Sequence, residues 1–185
     1  MLNRRSVIAA GWVASWLPAS GRAALAVGDL APDFTTSAAL AGQSFEFSLR
    51  TALRQGPVVL YFFPAAFSEG RSLEARAFAE AIEQFQGLGA QVIGMSGDDL
   101  ETLRRFSVKM CNGRFAVASD AGQAVMKAYD ALLPFRADYA ARVSYLITPE
   151  SRIAFVYNNL NPARHVERTL AALREWRTTQ GGTTR

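Results

Sequence analysis

Two side chains occur once each in this sequence, and together they bound its chemistry. Cys111 is the only cysteine and His165 the only histidine in 185 residues. An internal disulfide needs a second cysteine, and a Cys/His zinc centre needs several such ligands, so no disulfide framework and no metal site of that type is expected. A Ser-His-Asp triad would have to run through His165 alone, which weakens most hydrolase readings. His165 falls in the first turn of a predicted C-terminal helix, where packing or solvation accounts for it, and no chemistry is assigned to it. The cations are the other reservoir, eighteen arginines and two lysines. They are spread along the chain without a Lys/Arg cluster, so no nucleic-acid partner is expected. No motif implies a bound cofactor.

The elements that would position these groups begin after an export signal. Residues 1–26 read MLNRRSVIAAGWVASWLPASGRAALA. Arg4 and Arg5 precede an apolar run at 7–17, Pro18 and Gly21 break it, and small residues follow at Ala23 and Ala26. That layout fits an exported, periplasmic protein, and the paired arginines fit the twin-arginine route. The apolar run is shorter than the roughly 18 residues that span a bilayer, so no stable membrane span is expected after cleavage. An uncleaved amphipathic anchor is the alternative. Arg4, Arg5 and Arg22 leave with the leader and no acid does, so the net charge falls from +4 to +1. Half the residues are apolar, which excludes a disordered chain.

From residue 27 to 178 the sequence reads as one domain, with a disordered tail over 179–185. The alternation at 44–49 and the apolar run VVLYFF at 58–63 predict strands, the second buried on both faces. Helical spacing of Leu73, Ala77/Phe78, Ala81/Ile82 and Phe85 predicts a helix over 72–88. A strand at 91–95 follows. Asp98 with Glu101 predicts a capping box opening a helix to 110. A strand at 115–119 leads to Asp120, predicted to cap a short helix to about 129. A hairpin of strands at 143–148 and 153–157 precedes a last helix, with Asn161 as cap, Pro162 at its first position, and a stripe of Val166, Leu170, Leu173 and Trp176. Strands and helices in this order give an α/β fold with a central mixed sheet flanked by helices.

Three passages, each at its proper place in that order, carry a more specific resemblance. Val27-Gly28-Asp29-Leu30-Ala31-Pro32-Asp33-Phe34, then Tyr61-Phe62-Phe63-Pro64, then Arg142-Val143-Ser144-Tyr145-Leu146-Ile147 resemble the peroxiredoxins (AhpC/TSA family), most closely their bacterioferritin-comigratory branch. The resemblance covers residues 27–176. It implies a thioredoxin-like fold, thiol-dependent peroxide reduction as an antioxidant activity, and a thioredoxin-like dithiol reductant as partner.

The resemblance fails where the chemistry should be. The family carries P-x-x-x-T-x-x-C, its cysteine in the first turn of a helix whose dipole and a nearby arginine favour the thiolate. Laid on this chain, the proline is Pro64, the hydroxyl is Ser68, the arginine is Arg142, and the nucleophile position is Arg71. A guanidinium has no lone pair to attack an O–O bond, so the chain is expected to be catalytically silent or nearly so. Arg71 would then turn out to solvent, toward Glu74 three residues on, or the Arg71/Arg142 loop would capture an anion. Outside the resemblance, Arg142 reads as a surface arginine before a hairpin. Cys111 reads either as a resolving thiol without its partner or as a helix-end cysteine without a role. The alternative is an active or residual thiol peroxidase, through Cys111 or with Arg71 as a one-base variant of a cysteine codon.

Overall fold

The computed structural model describes residues 25–66, 69–133 and 136–181, with side chains described throughout except at 69–71, 136–138 and 181. The expected export signal lies outside these residues apart from Leu25 and Ala26, as do residues 182–185 of the expected tail.

The chain runs β1 (Thr35–Leu40), β2 (Gln43–Ser48), α1 (Leu49–Leu53), β3 (Val58–Phe62), α2 (Glu69–Gly87), β4 (Gln91–Ser96), α3 (Leu100–Lys109), β5 (Ala116–Ser119), α4 (Ala124–Ala128), β6 (Leu132–Leu133), β7 (Arg136–Ala140), β8 (Val143–Ile147), β9 (Ile153–Asn158) and α5 (Ala163–Gly181). Seven strands form one mixed sheet in the order β2-β1-β5-β4-β3-β8-β9. Strands β3, β4 and β5 are parallel, and β8 closes antiparallel on β3 with Phe62 opposite Val143. This is the expected thioredoxin-like arrangement.

The apolar run in β3 divides the protein into two cores because successive side chains point to opposite faces. Val58, Leu60 and Phe62 face the side of α1 and α4, with Leu53, Met126 and Tyr145. Val59, Tyr61 and Phe63 face the side of α2, α3 and α5, with Phe78, Phe106 and Leu173. Every residue of β3 is buried. The stripe of α5 is as expected, with Val166, Leu170 and Leu173 buried and Trp176 half-buried.

Four local expectations change. The cap of α3 is Asp99, whose carboxylate accepts from the Thr102 amide at 2.8 Å, and not Asp98, whose carboxylate is used elsewhere. Asp120 does serve α4, accepting from the Met126 amide at 2.7 Å, but it reaches in from before Gln123, which occupies the cap with a left-handed backbone. Asn161 accepts from the Ala163 amide at 3.1 Å, as the expected cap would, while the regular helix starts at Ala163, one residue after Pro162. Helix α5 runs to Gly181, so residues 179–181 of the expected disordered tail are helical.

Phe62 is fully buried and meets the Tyr129 and Tyr145 rings at centroid distances of 5.6 and 6.1 Å. Phe62→Ala removes that packing, and chemical denaturation should show a loss of about 3–5 kcal/mol.

Candidate active site

Of the expected site residues, Pro64, Arg142 and the backbone of Arg71 lie at the end of the sheet where β3 gives way to α2. Pro64 follows β3 after one intervening residue, Phe63, and is half-buried. The loop after it is tied to the next strand, since the Ala66 amide donates to Asp98 Oδ2 at 2.6 Å. Asp98 is held in turn by the Ser96 hydroxyl at 2.8 Å, and its carbonyl accepts from Ser119 Oγ at 2.7 Å. Asp98 therefore links the carboxyl ends of β3, β4 and β5. Arg142 comes in beside them because Val143 pairs with Phe62 across the β3–β8 ladder. Arg71 sits in the first turn of α2, one turn before Glu74. Ser68 lies outside the described residues, as does the Arg71 side chain.

Arg142 is buried, at 8% exposure, which excludes a solvated arginine before a hairpin. Its Nη1 donates to Glu74 Oε2 in a close, charge-assisted contact. Glu74 is itself fully buried, so it is no solvent-side partner for Arg71. Burial raises the Glu74 carboxyl to about 8, and the Arg142 charge pulls against that rise. Among the described residues, Glu74 Oε1 and the Tyr61 hydroxyl are buried without a hydrogen-bond partner. The Tyr61 ring stacks on Phe78 at 4.4 Å and lies against Gly94, where a Cβ would come within 2.7 Å of it. Burial holds the Tyr61 phenol well above its usual range.

His165 enters the same cluster, which the sequence reading missed. It is fully buried on α5. Its Nε2 lies 2.8 Å from the Asn159 carbonyl, and its Nδ1 lies 2.8 Å from Ser144 Oγ and 3.8 Å from Glu74 Oε1. A carbonyl only accepts, so Nε2 carries the proton and the Ser144 hydroxyl donates to Nδ1. Burial keeps the imidazole below its usual pKa, hence neutral. The signal for both groups was their placement on apolar stripes. Glu74 is four residues before Phe78, and His165 four before the buried Thr169.

Cys111 stands apart. It follows the α3 cap residue Met110, is fully buried in the core with Phe63, Phe106 and Phe115, and burial pushes its thiol far above the ordinary range. Among the described residues there is no group of His, Cys, Asp and Glu that could hold a metal ion, and no helix long and apolar enough to cross a membrane.

The sequence matches the AhpC/TSA family over residues 27–156. The chain belongs to that family, the peroxiredoxins. Similar curated proteins include the putative chloroplastic peroxiredoxin Q of Oryza sativa subsp. indica, 32% identical over 147 residues, covering 79% of this chain and 65% of that one. The chloroplastic peroxiredoxin Q of Sedum lineare is 34% identical over 118 residues, covering 63% of each. The matches thus span just under two thirds of these relatives' lengths. Among solved structures, peroxidoxin BcpB from Mycobacterium tuberculosis superposes with a TM-score of 0.74 at 25% identity, covering 82% of this chain and 97% of that one. AhpC from Enterococcus faecalis reaches 0.77 at 18% identity, covering 86% and 96%, and shows the shared fold. In this peroxiredoxin Arg142 is built into the interior, bound to an internal carboxylate.

That carboxylate sets a pH dependence. A carboxyl whose folded pKa is raised binds its proton more tightly when native. Its contribution to stability is therefore full below the ordinary value of 4.5 and is lost as pH rises toward about 8. His165, with its pKa lowered, contributes oppositely, losing stability as pH falls below 6.5. It is present in both chains when the natural sequence is compared with Glu74→Gln. The difference between their unfolding free energies should shift against the natural chain as pH is raised from 4.5 to 8, measured by urea titration at each pH.

Proposed function

We propose that this chain is an exported peroxiredoxin-family protein in which thiol-dependent peroxide reduction is silent, because Arg71 stands where the attacking cysteine belongs. The observation that carries this reading is the burial of Cys111. Peroxide reduction by a thiol needs a thiolate within reach of the oxidant. The one cysteine of this chain is fully enclosed, and its environment favours the protonated thiol. Cys111 is thus unsuited to attack, and equally unsuited to resolve an intermediate formed on α2. The anion expected at the Arg71/Arg142 loop also loses support, since the Arg142 guanidinium is engaged by Glu74.

With peroxide and excess dithiol, the natural chain should consume peroxide no faster than a small-molecule thiol control. Arg71→Cys should restore measurable turnover, because the new thiol would sit in the first turn of the 19-residue helix α2 with Arg142 at the neighbouring sheet end. Fast turnover by the natural chain would overturn the silent-site reading. A folded Arg71→Cys chain without activity would show that the pocket no longer supports the family chemistry.

The thiol itself gives a separate check. Cys111 in the native protein should resist a thiol-specific reagent and react fully once denaturant is added, and rapid native labelling would reopen the reading of residual activity through Cys111. Export is tested by mass spectrometry of protein recovered from the periplasm, with a new N-terminus expected near Ala24 or Val27. An intact Met1 in cytoplasmic material would sink that part of the proposal.

A further inference from the structure

We propose that Met110 is an oxygen-accepting site, taking one oxygen atom from hydrogen peroxide as its sulfoxide, and that Arg76 is the partner that holds that oxygen. A thioether within reach of peroxide is oxidised to the sulfoxide, which turns an apolar side chain into a polar one. Of the three methionines among the described residues, Met95 and Met126 are fully buried and Met110 is half-buried. Met110 closes α3 as its C-cap, its amide donating to the Phe106 carbonyl at 2.9 Å. The backbone is thereby fixed, and the side chain packs against the edge of the core that includes Phe106 and Cys111. From α2, Arg76 reaches across to it and brings Nη2 to 3.9 Å from Met110 Sδ. Arg76 is exposed, and among the described residues that sulfur is the only acceptor to which it donates.

A thioether is a weak acceptor, so at 3.9 Å the contact binds little as it stands. Oxidation changes its character. A sulfur lone pair attacks one peroxide oxygen, and the S–O bond forms as the O–O bond breaks. The proton of the attacked oxygen passes to the departing hydroxide, which leaves as water. The sulfur loses two electrons and the peroxide gains them. The new oxygen carries partial negative charge and accepts strongly. Placed on the side of the sulfur that faces Arg76, it lies within reach of a charge-assisted hydrogen bond of about 2.7–2.9 Å without any movement of the core. A sulfoxide oxygen at the edge of an apolar core is unfavourable without such a partner. Arg76 supplies one from the solvent side. Cys111, next in the chain, is the contrast, since its sulfur is fully enclosed. The step consumes one peroxide per chain, does not turn over, and is independent of what occupies position 71.

The test treats the purified chain with hydrogen peroxide under native conditions and maps the added oxygen by digestion and mass spectrometry. Met110 should be oxidised at least about tenfold faster than Met95 and Met126, which react only when the fold opens. In urea the three should react alike. Chains carrying the Met110 sulfoxide are then separated, and urea titration compares their stability with that of the unoxidised chain. In Arg76→Ala, the effect of the added oxygen on the folding equilibrium should be about tenfold more unfavourable, as one hydrogen bond to a charged group is missing. Arg76→Gln keeps an N–H donor and should recover part of that difference. In Met110→Leu, peroxide should leave stability unchanged. Native oxidation of Met110 no faster than that of Met95 and Met126 would overturn the site, as would a peroxide-dependent loss of stability in Met110→Leu. An oxidation effect equal in the natural chain and in folded Arg76→Ala would overturn the role of Arg76, because a methionine that is only exposed oxidises without reference to its neighbour.

Discussion

A carboxylate with no exposed surface, Glu74 on α2, sets the terms for the surrounding end of the molecule. An isolated buried charge is strongly unfavourable, so the fold must bring a cation to it or leave it protonated. The fold delivers one from the lead-in to β8, where Arg142 lies inside the protein with its side chain turned away from solvent. That choice then fixes others. The carbonyl of Arg142 is occupied by Asn159, the carbonyl of Asn159 by His165, and the remaining nitrogen of His165 by Ser144. Helices α2 and α5 and strand β8 are thereby joined by polar contacts at a single point, on top of the apolar packing that they share. Removing one member of such a cluster leaves its partner buried and unpaired, which costs about 3–5 kcal/mol for a charged pair.

The central sheet was legible because its signals are local and strong. The run at β3 has no polar residue to contradict burial, and its alternation between the two cores follows from the pleat alone. The helix stripes of α2 and α5 were equally plain. What sequence reasoning missed was short or dependent on partners. Strand β1, TTSAAL, lacks the β-branched and aromatic bulk of a strand, and it forms because β2 and β5 pair with both of its edges. Helix α1 and the small β6–β7 pair are likewise too brief to show a period. At α3, two adjacent aspartates were equally good caps by type. Tertiary demand separated them, with Asp98 drawn to the Ala66 amide and Asp99 left to cap.

The site was legible only where a family motif marked it. Pro64 and Arg142 were placed by resemblance, and the ladder between β3 and β8 brings them to the same sheet end. Glu74 and His165 belong to no motif quoted from the sequence, and each was given a solvent-facing or neutral reading. Both stand at stripe spacing among residues that are buried, where a polar group must find a partner. A single sequence shows that such partners are needed but not which ones, because the two residues are 91 positions apart and meet only when α2 and α5 pack on the same face of the sheet.

This separation between motif and network explains how a peroxiredoxin scaffold can stand with no cysteine in the first turn of α2. A cysteine in the first turn of α2 would be held by that turn and approached by substrate, and none of the buried polar contacts described at this end of the sheet runs through position 71. Glu74, Arg142, His165 and Ser144 are different, since each satisfies another that is also out of water. On the proposed reading, loss of a reacting side chain there removes chemistry without disturbing these buried contacts, and Arg142 stays where the carboxylate holds it. The cation of the pocket is a structural member first.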